Sequence, residues 1–388
     1  MKILHVITSL NKGGAENHLF RLAAAQAKEN FSVNVIYFKG NGYWEKFLKN
    51  HNVKCKKLNL TNNFNLIQIF IILIKLLFYV KREKPEIIHS HLALPEILIL
   101  ILKIFKCKFK FIVTKHLDSF IFEGSYGQNR YFNGLIIEKL IFYFSHHIIF
   151  ISKNVKKYFL SKKKINSKKL SVIYYGIDKL YFDYKSFEDK KNYKKLRDNK
   201  NQFIILTIAR HIPQKRLDLL LLGFEKFLKK YNNSKLILVG TGPNTQKLQN
   251  LSKNLKIKNN VNWIKYSENV KELFKVSNVF CLTSLYEGLG LVLLESMYLK
   301  VPIVTVKTSA MAEVIENSYN KFALKKNFKP KELCDLLIKV KKNKKIIKSN
   351  ISKGRFVVDK KFNVKKMIIK TNQVYRDLYE VNKNSIRY

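Results

Sequence analysis

Short runs of apolar residues alternate along the chain with longer segments whose apolar positions recur at helical spacing. Residues 2–8 form the first run, an amphipathic segment follows at 17–28, and the next run is 32–38. Continuous apolar runs of this length are typical of buried strands in a parallel sheet. The opening of the chain therefore predicts a βαβ unit.

The same alternation resumes after residues 183–201, a polar and charged stretch without apolar periodicity that we interpret as an interdomain linker. Apolar runs at 202–208, 235–239 and 278–283 predict the strands of a second sheet. A length of 388 residues also favours two domains. We therefore predict an α/β chain with domains at 1–185 and 186–360, followed by a helical segment at 361–388.

Residues 66–80 are almost wholly apolar, interrupted by Gln68 and Lys75, and basic residues follow from Lys81. The run is shorter than the ~20 residues that a membrane-spanning helix needs. It predicts either a core helix or a helix that lies partly against a bilayer, and the sequence leaves both readings open.

The formal charge of +47 comes from 74 Lys+Arg against 27 Asp+Glu. Such an excess favours nucleic acid or an anionic membrane as a partner. Most of the excess is lysine, scattered among abundant Asn, Ile, Phe and Tyr, which is the residue set that an AT-rich genome produces. Genome composition and a membrane-surface role are both open as explanations of the positive charge. The sequence contains no recognisable nucleic-acid-binding module, so no nucleic acid is expected as a partner.

The four cysteines, Cys55, Cys107, Cys281 and Cys334, are isolated, have hydrophobic neighbours and form no CxxC motif. This pattern predicts buried thiols in a reducing compartment rather than disulfides or a zinc site. The first residues enter a strand directly without the pattern of a signal peptide, so we expect a cytoplasmic protein.

Candidate chemistry is concentrated where the apolar run 278–283 meets a helix predicted at 291–299. Gly288 and Gly290 would let the backbone approach a ligand, and the free N–H groups from Leu291 onward would favour a phosphate. Glu287 and Glu295 flank this turn. A carboxylate beside a phosphate is unfavourable unless it accepts sugar or ribose hydroxyls, so the pattern predicts a nucleotide-sugar pocket.

The stretch 287–295, EGLGLVLLE, resembles the Glu-x7-Glu signature of the retaining GT-B glycosyltransferases of family four, also called glycosyl transferases group 1, with Leu289 in place of the usual Phe. Further elements of the family follow in the correct order over nearly the whole chain. The resemblance implies a GT-B fold, two doubly wound Rossmann-like domains facing each other across a cleft. It also implies that the acceptor binds mainly to the first domain, the nucleotide sugar mainly to the second, and that the terminal helix packs back on the N-terminal domain.

The resemblance also implies roles for individual residues. Residues 209–216, ARHIPQKR, resemble the family segment Gly-Arg-x-x-x-x-Lys-Gly, in which Arg and Lys stabilise the charge on the leaving nucleoside diphosphate. His116, after a strand predicted at 108–114, corresponds to a histidine that contacts the donor sugar. The predicted catalytic residues are His116, Glu287, Arg210 and Lys215, and the predicted donor-binding residues are Gly13, Gly14, Arg210, Lys215, Gly288, Leu289, Gly290, Leu291 and Glu295.

The chain departs from the family pattern at several turns. Tyr175 replaces an Asn, Lys265 replaces a Gly, and Ser309 and Ala310 replace both glycines of a Gly-Gly-x-x-Glu loop. One alternative reading is therefore a non-catalytic, basic protein that binds nucleotide sugars or a membrane surface through a degenerate pocket.

As an enzyme, the chain is expected to transfer a hexose with retention from a nucleotide diphosphate sugar, with a UDP-sugar as the expected donor. No Asp-x-Asp motif occurs, so we expect neither a metal nor a cofactor beyond this co-substrate. The expected acceptor is a glycan or lipid-linked glycan of bacterial surface polysaccharide such as lipopolysaccharide, capsule or O-antigen. Peripheral contact with the anionic inner face of the membrane would fit such an acceptor.

Overall fold

The computed structural model describes residues 1–61, 65–117, 128–161, 169–178, 196–267 and 269–384. The chain divides into two compact units, one made of Met1–Tyr175 with Val364–Tyr388 and the other of Gly176–Asn363. The boundary predicted at 185 and most of the predicted linker lie outside the described residues. The predicted α/β class with two Rossmann-like domains is confirmed by the sheet in each unit.

The first unit is built on a parallel sheet that has seven strands within the described residues, in the order β3-β2-β1-β4-β5-β6-β7. The strands are β1 (Lys2–Ser9), β2 (Ser32–Lys39), β3 (Lys54–Lys57), β4 (Ile87–His91), β5 (Lys110–Lys115), β6 (His147–Phe150) and β7 (Leu170–Val172). The helices between them are α1 (Gly14–Lys28), α2 (Glu45–Lys49), α3 (Leu66–Glu83), α4 (Ala93–Ile104), α5 (Gln128–Phe144) and α6 (Lys153–Leu160).

The strand order reverses between β1 and β4, which are neighbours in the sheet although two strands separate them in sequence. In this pairing His5 is opposite His89, and Ile7 is opposite His91. Ligands of open α/β sheets bind at the carboxyl ends of the strands beside such a reversal. The topology therefore places β1 and β4 at the position where a binding site is expected.

The second unit repeats this architecture with a parallel sheet of six described strands, in the order β10-β9-β8-β11-β12-β13. The strands are β8 (Phe203–Ile208), β9 (Ser234–Val239), β10 (Val261–Ile264), β11 (Val279–Leu282), β12 (Ile303–Val306) and β13 (Ala323–Leu324). The helices are α7 (Leu217–Lys230), α8 (Thr245–Asn254), α9 (Val270–Lys275), α10 (Leu291–Tyr298), α11 (Ser309–Ile315), α12 (Pro330–Lys342) and α13 (Lys344–Lys361). Its order reverses between β8 and β11, the strands that precede the two predicted donor-binding segments.

The terminal helix α14 (Val364–Asn384) belongs to the first unit. Its Met367 and Tyr375 are buried in one apolar cluster with Ile3, Ile87 and Ile112 of the central strands. These strand residues come from β1, β4 and β5, so the helix covers the middle of the first sheet.

The burial of the cysteines differs in part from the expectation. Cys281 and Cys334 are buried as predicted, whereas Cys55 and Cys107 are only half-buried, so the prediction of buried thiols is wrong for these two. Cys55 lies on β3 at the edge of the sheet, and Cys107 lies in the turn after α4. An edge strand and a turn are each covered by fewer neighbouring elements than a central strand, so both thiols stay partly exposed.

None of the helices in the described part of the chain has the length and hydropathy needed to cross a bilayer. The apolar run at 66–80 forms α3, which continues to Glu83. Only its inward residues Ile72, Leu76, Tyr79 and Val80 are buried, so the core-helix reading describes one face of this helix and not the other.

Candidate active site

The turn between β11 and α10 has the geometry that its glycines suggest. Gly290 precedes the first residue of α10 and adopts φ 81°, a left-handed conformation that favours glycine. Gly288 is buried, and the Leu289 side chain is only 2% exposed and anchors the turn. Leu291 begins the helix as predicted, so its first N–H groups lie directly after a glycine turn.

Lys215 and Glu287 lie together in this unit. Lys215 ends a 3-10 turn at Pro213–Lys215, and its ammonium lies 2.5 Å from Glu287 Oε1. The Ser284 hydroxyl donates to the same oxygen at 2.7 Å. The two side chains are 11% and 14% exposed, so this charged pair is largely shielded from solvent.

Hydrogen bonds join the segment around Lys215 to the segment before Gly288. The Leu285 N–H donates to the Gln214 carbonyl at 2.8 Å, and the Gln214 amide donates to the Tyr286 carbonyl at 2.7 Å. The Thr283 hydroxyl donates to the Lys215 carbonyl at 2.8 Å. These bonds hold the two predicted donor-binding segments in one arrangement.

Arg216 is a structural residue of this site that the sequence reading missed. It stands where the family motif has its final glycine, and its φ of 46° is left-handed. Its guanidinium donates to the Thr283 carbonyl at 3.0 Å and to the Lys326 carbonyl at 2.5 Å. The glycine of the motif was the available signal, because it indicates a backbone of this kind at this position.

Arg210 follows β8, is exposed, and has no hydrogen-bond or ion-pair partner for its guanidinium among the described residues. The neighbouring turn packs tightly against this segment through Gly240 and Gly242. A Cβ on Gly240 would lie 2.0 Å from the Ala209 carbonyl oxygen, and one on Gly242 would lie 2.5 Å from the His211 carbonyl oxygen. Both glycines are therefore needed for the close approach of the two strand ends.

His211 is a second residue that the sequence reading did not select. It is 1% exposed, and its Nδ1 lies 2.8 Å from the Thr245 hydroxyl. Its Nε2 is buried with no hydrogen-bond partner in the described part of the chain. Burial lowers the pKa of this imidazole, which leaves a neutral ring with one free nitrogen beside Gly240.

Glu295 and Ser309 lie on the two helices α10 and α11, which follow the glycine turn in the chain. Glu295 lies on α10 and is 2% exposed. Ser309 adopts φ 51°, a left-handed conformation that favours glycine, and its hydroxyl donates to the Glu287 carbonyl at 2.9 Å. The position at which the family motif has a glycine thus has a backbone that favours glycine, although serine occupies it here.

Gly13 and Gly14 belong to the first unit and form the start of α1. Gly13 has an extended backbone with φ −150°, and its carbonyl accepts from the Asn17 N–H at 3.0 Å. The Glu16 carboxylate lies over Gly13 and accepts from the Ser9 hydroxyl at 2.8 Å. A carboxylate therefore lies against Gly13 and would repel a phosphate at this turn unless it moved.

Five histidines of the first unit are buried in one group: His5, His18, His89, His91 and His116. His89 and His91 are two residues apart on β4, so their side chains point to the same face of the sheet. His5 is opposite His89 on the neighbouring strand. The predicted site residue His116 therefore lies in a histidine network rather than alone.

The network contains a continuous chain of hydrogen bonds that includes three imidazoles. His5 Nε2 lies 2.8 Å from Gln26 Oε1, His5 Nδ1 lies 3.2 Å from His91 Nε2, and His91 Nδ1 lies 3.2 Å from His116 Nε2. His116 Nδ1 is hydrogen-bonded to the Tyr175 hydroxyl. Tyr175, which replaces the family Asn, ends this chain.

The polarity of the chain follows from Gln26. An amide oxygen only accepts, so His5 donates from Nε2 and must accept at Nδ1. The same reasoning then gives His91 and His116 a proton on Nε2 and makes Tyr175 a donor to His116. With the Gln26 oxygen on the His5 side, each ring has one tautomer, and both nitrogens of His116 are occupied.

The nitrogen atoms of His5, His89 and His91 lie within 4.8 Å of one another, close enough to be considered as metal ligands. The remaining nitrogens of the group are those of His89, which lie 2.5 Å from the Tyr375 hydroxyl and 2.7 Å from the Thr114 hydroxyl. Every ring nitrogen of these three histidines thus has a protein hydrogen-bond partner. The arrangement is that of a satisfied hydrogen-bond network, in which a metal would have to displace existing bonds.

Burial keeps these imidazoles neutral. Desolvation lowers the pKa of His5 to about 4 and that of His18 to about 3. It also lowers the pKa of His89, His91 and His116 well below 6.5. A second cause is that the rings would repel one another if they were protonated, and for His116 the Lys115 ammonium adds to this repulsion. At neutral pH this group can donate and accept hydrogen bonds but supplies no positive charge.

Lys115, next to His116, forms a buried triad with two carboxylates. Its ammonium lies 2.5 Å from Glu96 Oε2 and 2.7 Å from Glu138 Oε2, and all three side chains are at most 4% exposed. Burial raises the pKa of Glu96 to about 7, against the opposing effect of Lys115. The triad fixes the end of β5 and so positions the following residue, His116.

Two family models match most of the chain, and several relatives are similar in sequence. The model described as Glycosyltransferase Family 4 matches residues 12–179, and the model described as Glycosyl transferases group 1 matches residues 188–355. The O-antigen biosynthesis glycosyltransferase WclY of Escherichia coli is 28% identical over 303 residues, which cover 76% of this chain and 80% of WclY.

A second relative is the GalNAc-alpha-(1->4)-GalNAc-alpha-(1->3)-diNAcBac-PP-undecaprenol alpha-1,4-N-acetyl-D-galactosaminyltransferase of Campylobacter jejuni. It is 29% identical over 310 residues, which cover 78% of each chain. Among solved structures, Anabaena HepE in complex with UDP and glucose has a TM-score of 0.81 at 19% identity, covering 97% of this chain and all of HepE. At that identity the similarity establishes the shared fold.

Proposed function

The chain belongs to the glycosyl transferases group 1, and we propose from this that it moves a hexose from a nucleotide diphosphate sugar to a glycan or lipid-linked glycan acceptor. The single observation that carries the proposal is the pairing of Lys215 with Glu287 beside the glycine turn that begins α10. A cation, a sugar-binding carboxylate and free helix N–H groups are the parts that a diphosphate sugar requires.

We propose a UDP-sugar as the donor. Lys215 and the amides after Gly290 would bind the diphosphate, and Arg210, which is exposed, would close on it from β8. Glu295 would bind the ribose hydroxyls and Glu287 the sugar hydroxyls. The choice of uridine is supported by the UDP bound to HepE, a protein of the same fold.

The proposed reaction retains the configuration of the anomeric carbon and proceeds without a metal. Arg210, Lys215 and the start of α10 would offset the charge that builds on the leaving diphosphate. His116 is proposed to bind a sugar hydroxyl, and this contact would have to replace one of its bonds, to His91 or to Tyr175. The Gly13 turn would bind phosphate only after Glu16 moves aside.

The proposed acceptor is an intermediate of surface polysaccharide assembly, as the names of the relatives suggest: WclY acts in O-antigen biosynthesis, and the Campylobacter relative is named for an undecaprenol-linked glycan. We propose that this chain works at the inner face of the membrane, where such lipid-linked acceptors are exposed.

Calorimetric titration with UDP, GDP, ADP and their sugars tests the donor assignment. We expect one nucleotide to bind the native protein and to bind Arg210→Ala and Glu295→Ala at least tenfold more weakly, as loss of a charged hydrogen bond predicts. Lys229→Ala serves as the control, because this lysine is 74% exposed on α7. Binding of no nucleotide, or equal binding by all variants, would reject the pocket and favour the non-catalytic alternative.

The stereochemistry and the metal requirement need separate readouts. Transfer or slow hydrolysis of the UDP-sugar, followed by proton NMR of the first-formed anomer, reports retention or inversion. The same reaction in excess EDTA reports metal dependence. An inverted product or abolished activity in EDTA would contradict the corresponding part of the proposal while leaving the donor site intact.

A further inference from the structure

The helix α3 presents a row of large apolar side chains to solvent. Leu66 is 83% exposed, Ile67 and Phe78 are each 68% exposed, and Phe70 is 60% exposed. Ile71 and Ile74 are also exposed, at 44% and 37%. Single exposed apolar residues are ordinary, but a continuous row of this size is typical of an interaction surface.

These residues lie on one face of the helix. Ile67, Phe70, Ile71, Ile74 and Phe78 are separated by three or four residues or are adjacent, which places them within one arc of a 3.6-residue helix. At 1.5 Å per residue the row is ~17 Å long. The opposite side holds α3 to the first unit, so burying the outward row requires a partner outside this unit's core.

Basic residues surround this row. Lys75 is exposed on the same face, and Lys81 and Arg82 continue it at the end of the helix. Arg82 is paired with Glu83, whose carboxylate lies 2.7 Å away. Because Glu83 offsets only Arg82, the charges of Lys75 and Lys81 keep this part of the helix positive. We call this surface, from Leu66 to Arg82, the α3 face.

The edge strand beside α3 adds more positive charge. The Lys56 ammonium lies 5.3 Å from the centre of the Tyr79 ring, which places β3 next to this helix. Lys54, Lys56 and Lys57 are all exposed on β3. An apolar row bordered by cations is complementary to a surface that is apolar inside and anionic outside.

The end of α4 has the same character. Ile104 is 46% exposed and Phe105 is 73% exposed, and the exposed Lys106 and Lys108 follow. The connections β3–α3–β4 and β4–α4–β5 move in the same direction along the sheet. Right-handed crossovers in one direction place their helices on the same side of a sheet, so α4 lies on the side of α3.

We propose that the α3 face binds the surface of an anionic lipid bilayer, with Phe70, Ile74 and Phe78 in the acyl boundary and the lysines at the headgroups. A second copy of this chain fits less well, because it would bring together two surfaces of a chain with a formal charge of +47. A nucleic acid is also disfavoured as the partner, because the apolar side chains of the row offer no hydrogen-bond donors to phosphates or bases. The preference for a bilayer over a protein partner rests in part on the proposed lipid-linked acceptor.

Vesicle co-sedimentation tests this proposal without donor or acceptor. The full chain is mixed with phosphatidylcholine vesicles that contain either no phosphatidylglycerol or about one-third of it, at low and high salt. We expect binding to the anionic vesicles that weakens with salt, since each lysine near such a surface contributes appreciably. Phe70→Ser/Phe78→Ser should bind at least about tenfold more weakly, because two large apolar side chains no longer enter the bilayer.

The matched control is Phe356→Ser on α13, which removes a phenylalanine that is 62% exposed in the other unit. It should bind vesicles as the native protein does. Equal binding by the double variant, or no binding of the native protein to anionic vesicles, overturns the proposal. A native dimer that the double variant dissociates, without vesicle binding, would instead assign the face to a second copy and likewise overturn it.

Nucleotide binding distinguishes failure of this proposal from failure of the proposed function. The double variant is expected to keep its circular dichroism spectrum and its affinity for UDP, because α3 lies outside the donor-binding segments of the second unit. Loss of vesicle binding with UDP binding intact supports the α3 face. UDP binding without vesicle binding by the native protein rejects the membrane proposal and leaves the donor site standing.

Discussion

The ammonium of Lys215 lies 2.5 Å from a carboxylate oxygen of Glu287, to which the Ser284 hydroxyl also donates. Glu287 offsets the charge of Lys215, and both side chains are largely shielded from solvent. An arriving diphosphate would compete with Glu287 for the ammonium and release the carboxylate to accept sugar hydroxyls. The two residues should therefore affect donor binding in different ways.

Removing the cation should weaken nucleotide binding directly. We expect Lys215→Met to lower the affinity for UDP about 10- to 100-fold, the range for a lost charge-assisted hydrogen bond. Calorimetric titration measures this, with Lys235→Met on β9 as a control lysine whose ammonium pairs with Asp198 at 2.7 Å. Unchanged affinity for UDP would show that Lys215 serves only the Glu287 pair.

Neutralising the carboxylate should separate binding from transfer. Glu287→Gln keeps the shape of the side chain and can still accept from Ser284, but it no longer holds Lys215 by charge. We expect the affinity for UDP to stay within about threefold or to rise, while transfer from the UDP-sugar falls by roughly 10²-fold. A large loss of UDP binding in Glu287→Gln would contradict this division of roles and show that the carboxylate organises the phosphate site.

The bond between Tyr175 and His116 predicts a third effect. In Tyr175→Phe the Nδ1 of His116 loses its donor in a buried site, which should destabilise the first unit by about 1–3 kcal/mol. Thermal unfolding measures the cost, and nitrogen NMR of the imidazoles should show a shifted His116 Nδ1 signal, because this nitrogen loses its hydrogen bond while the proton stays on Nε2. Tyr143→Phe is the control, because Tyr143 is 76% exposed. An unchanged melting temperature and an unchanged His116 signal would contradict the hydrogen-bond chain.

Much of the fold follows from local pattern. The apolar run at 2–8 became β1 at Lys2–Ser9, and the glycines around residue 290 correctly indicated a turn before a helix at Leu291. These features were predictable because burial on both faces of a strand and a left-handed backbone each require particular residue types at that position. The left-handed backbone at Arg216 and Ser309 was not predicted, because neither side chain indicates it and only the glycines of the family motifs at these positions do.

The histidine network could not be predicted in the same way. His5, His91 and His116 are far apart in sequence and meet only because β1 and β4 are neighbours in the sheet and β5 follows. The resemblance selected His116 alone and gave no indication that both its nitrogens are occupied. Similarly, the apolar run of α3 fitted both a core helix and a helix lying partly against a bilayer, because composition does not reveal how many elements pack around a helix. The structure shows which of its faces is buried.

The buried histidines predict that the first unit loses stability as the pH falls. Histidine titrates near pH 6.5 when exposed, whereas burial lowers the pKa of His5 to about 4 and of His18 to about 3. Between these values the unfolded chain takes up protons that the folded chain does not, so the free energy of unfolding falls as pH falls. The free energy of unfolding should reach its full value above about pH 6.5. Below that pH, each of these histidines should lower it by up to about 1.4 kcal/mol per pH unit.

Urea unfolding between pH 7.5 and 5 measures this loss. Glu96, whose pKa burial raises to about 7, acts in the opposite direction over the same range, but it is one group against five buried histidines. His18 stacks on Tyr175, with the ring centres 4.6 Å apart. His18→Phe keeps an aromatic ring at this position and removes one titrating group. We expect its stability to vary less steeply with pH than that of the native protein. A free energy of unfolding that is constant from pH 7.5 to 5 would be incompatible with neutral buried imidazoles.

The triad of Lys115, Glu96 and Glu138 predicts the largest single loss of stability. Lys115→Met leaves two carboxyl groups buried without a cation, which should cost about 3–5 kcal/mol. The pair of Lys229 and Glu225, whose lysine is 74% exposed, should contribute at most about 1 kcal/mol. Urea unfolding at pH 7 of Lys115→Met and Lys229→Met compares the two. Combining Lys115→Met with Glu96→Gln and Glu138→Gln removes the uncompensated charge and should recover most of the loss. If the triple variant were as unstable as Lys115→Met, lost packing of the lysine side chain rather than buried charge would be the cause.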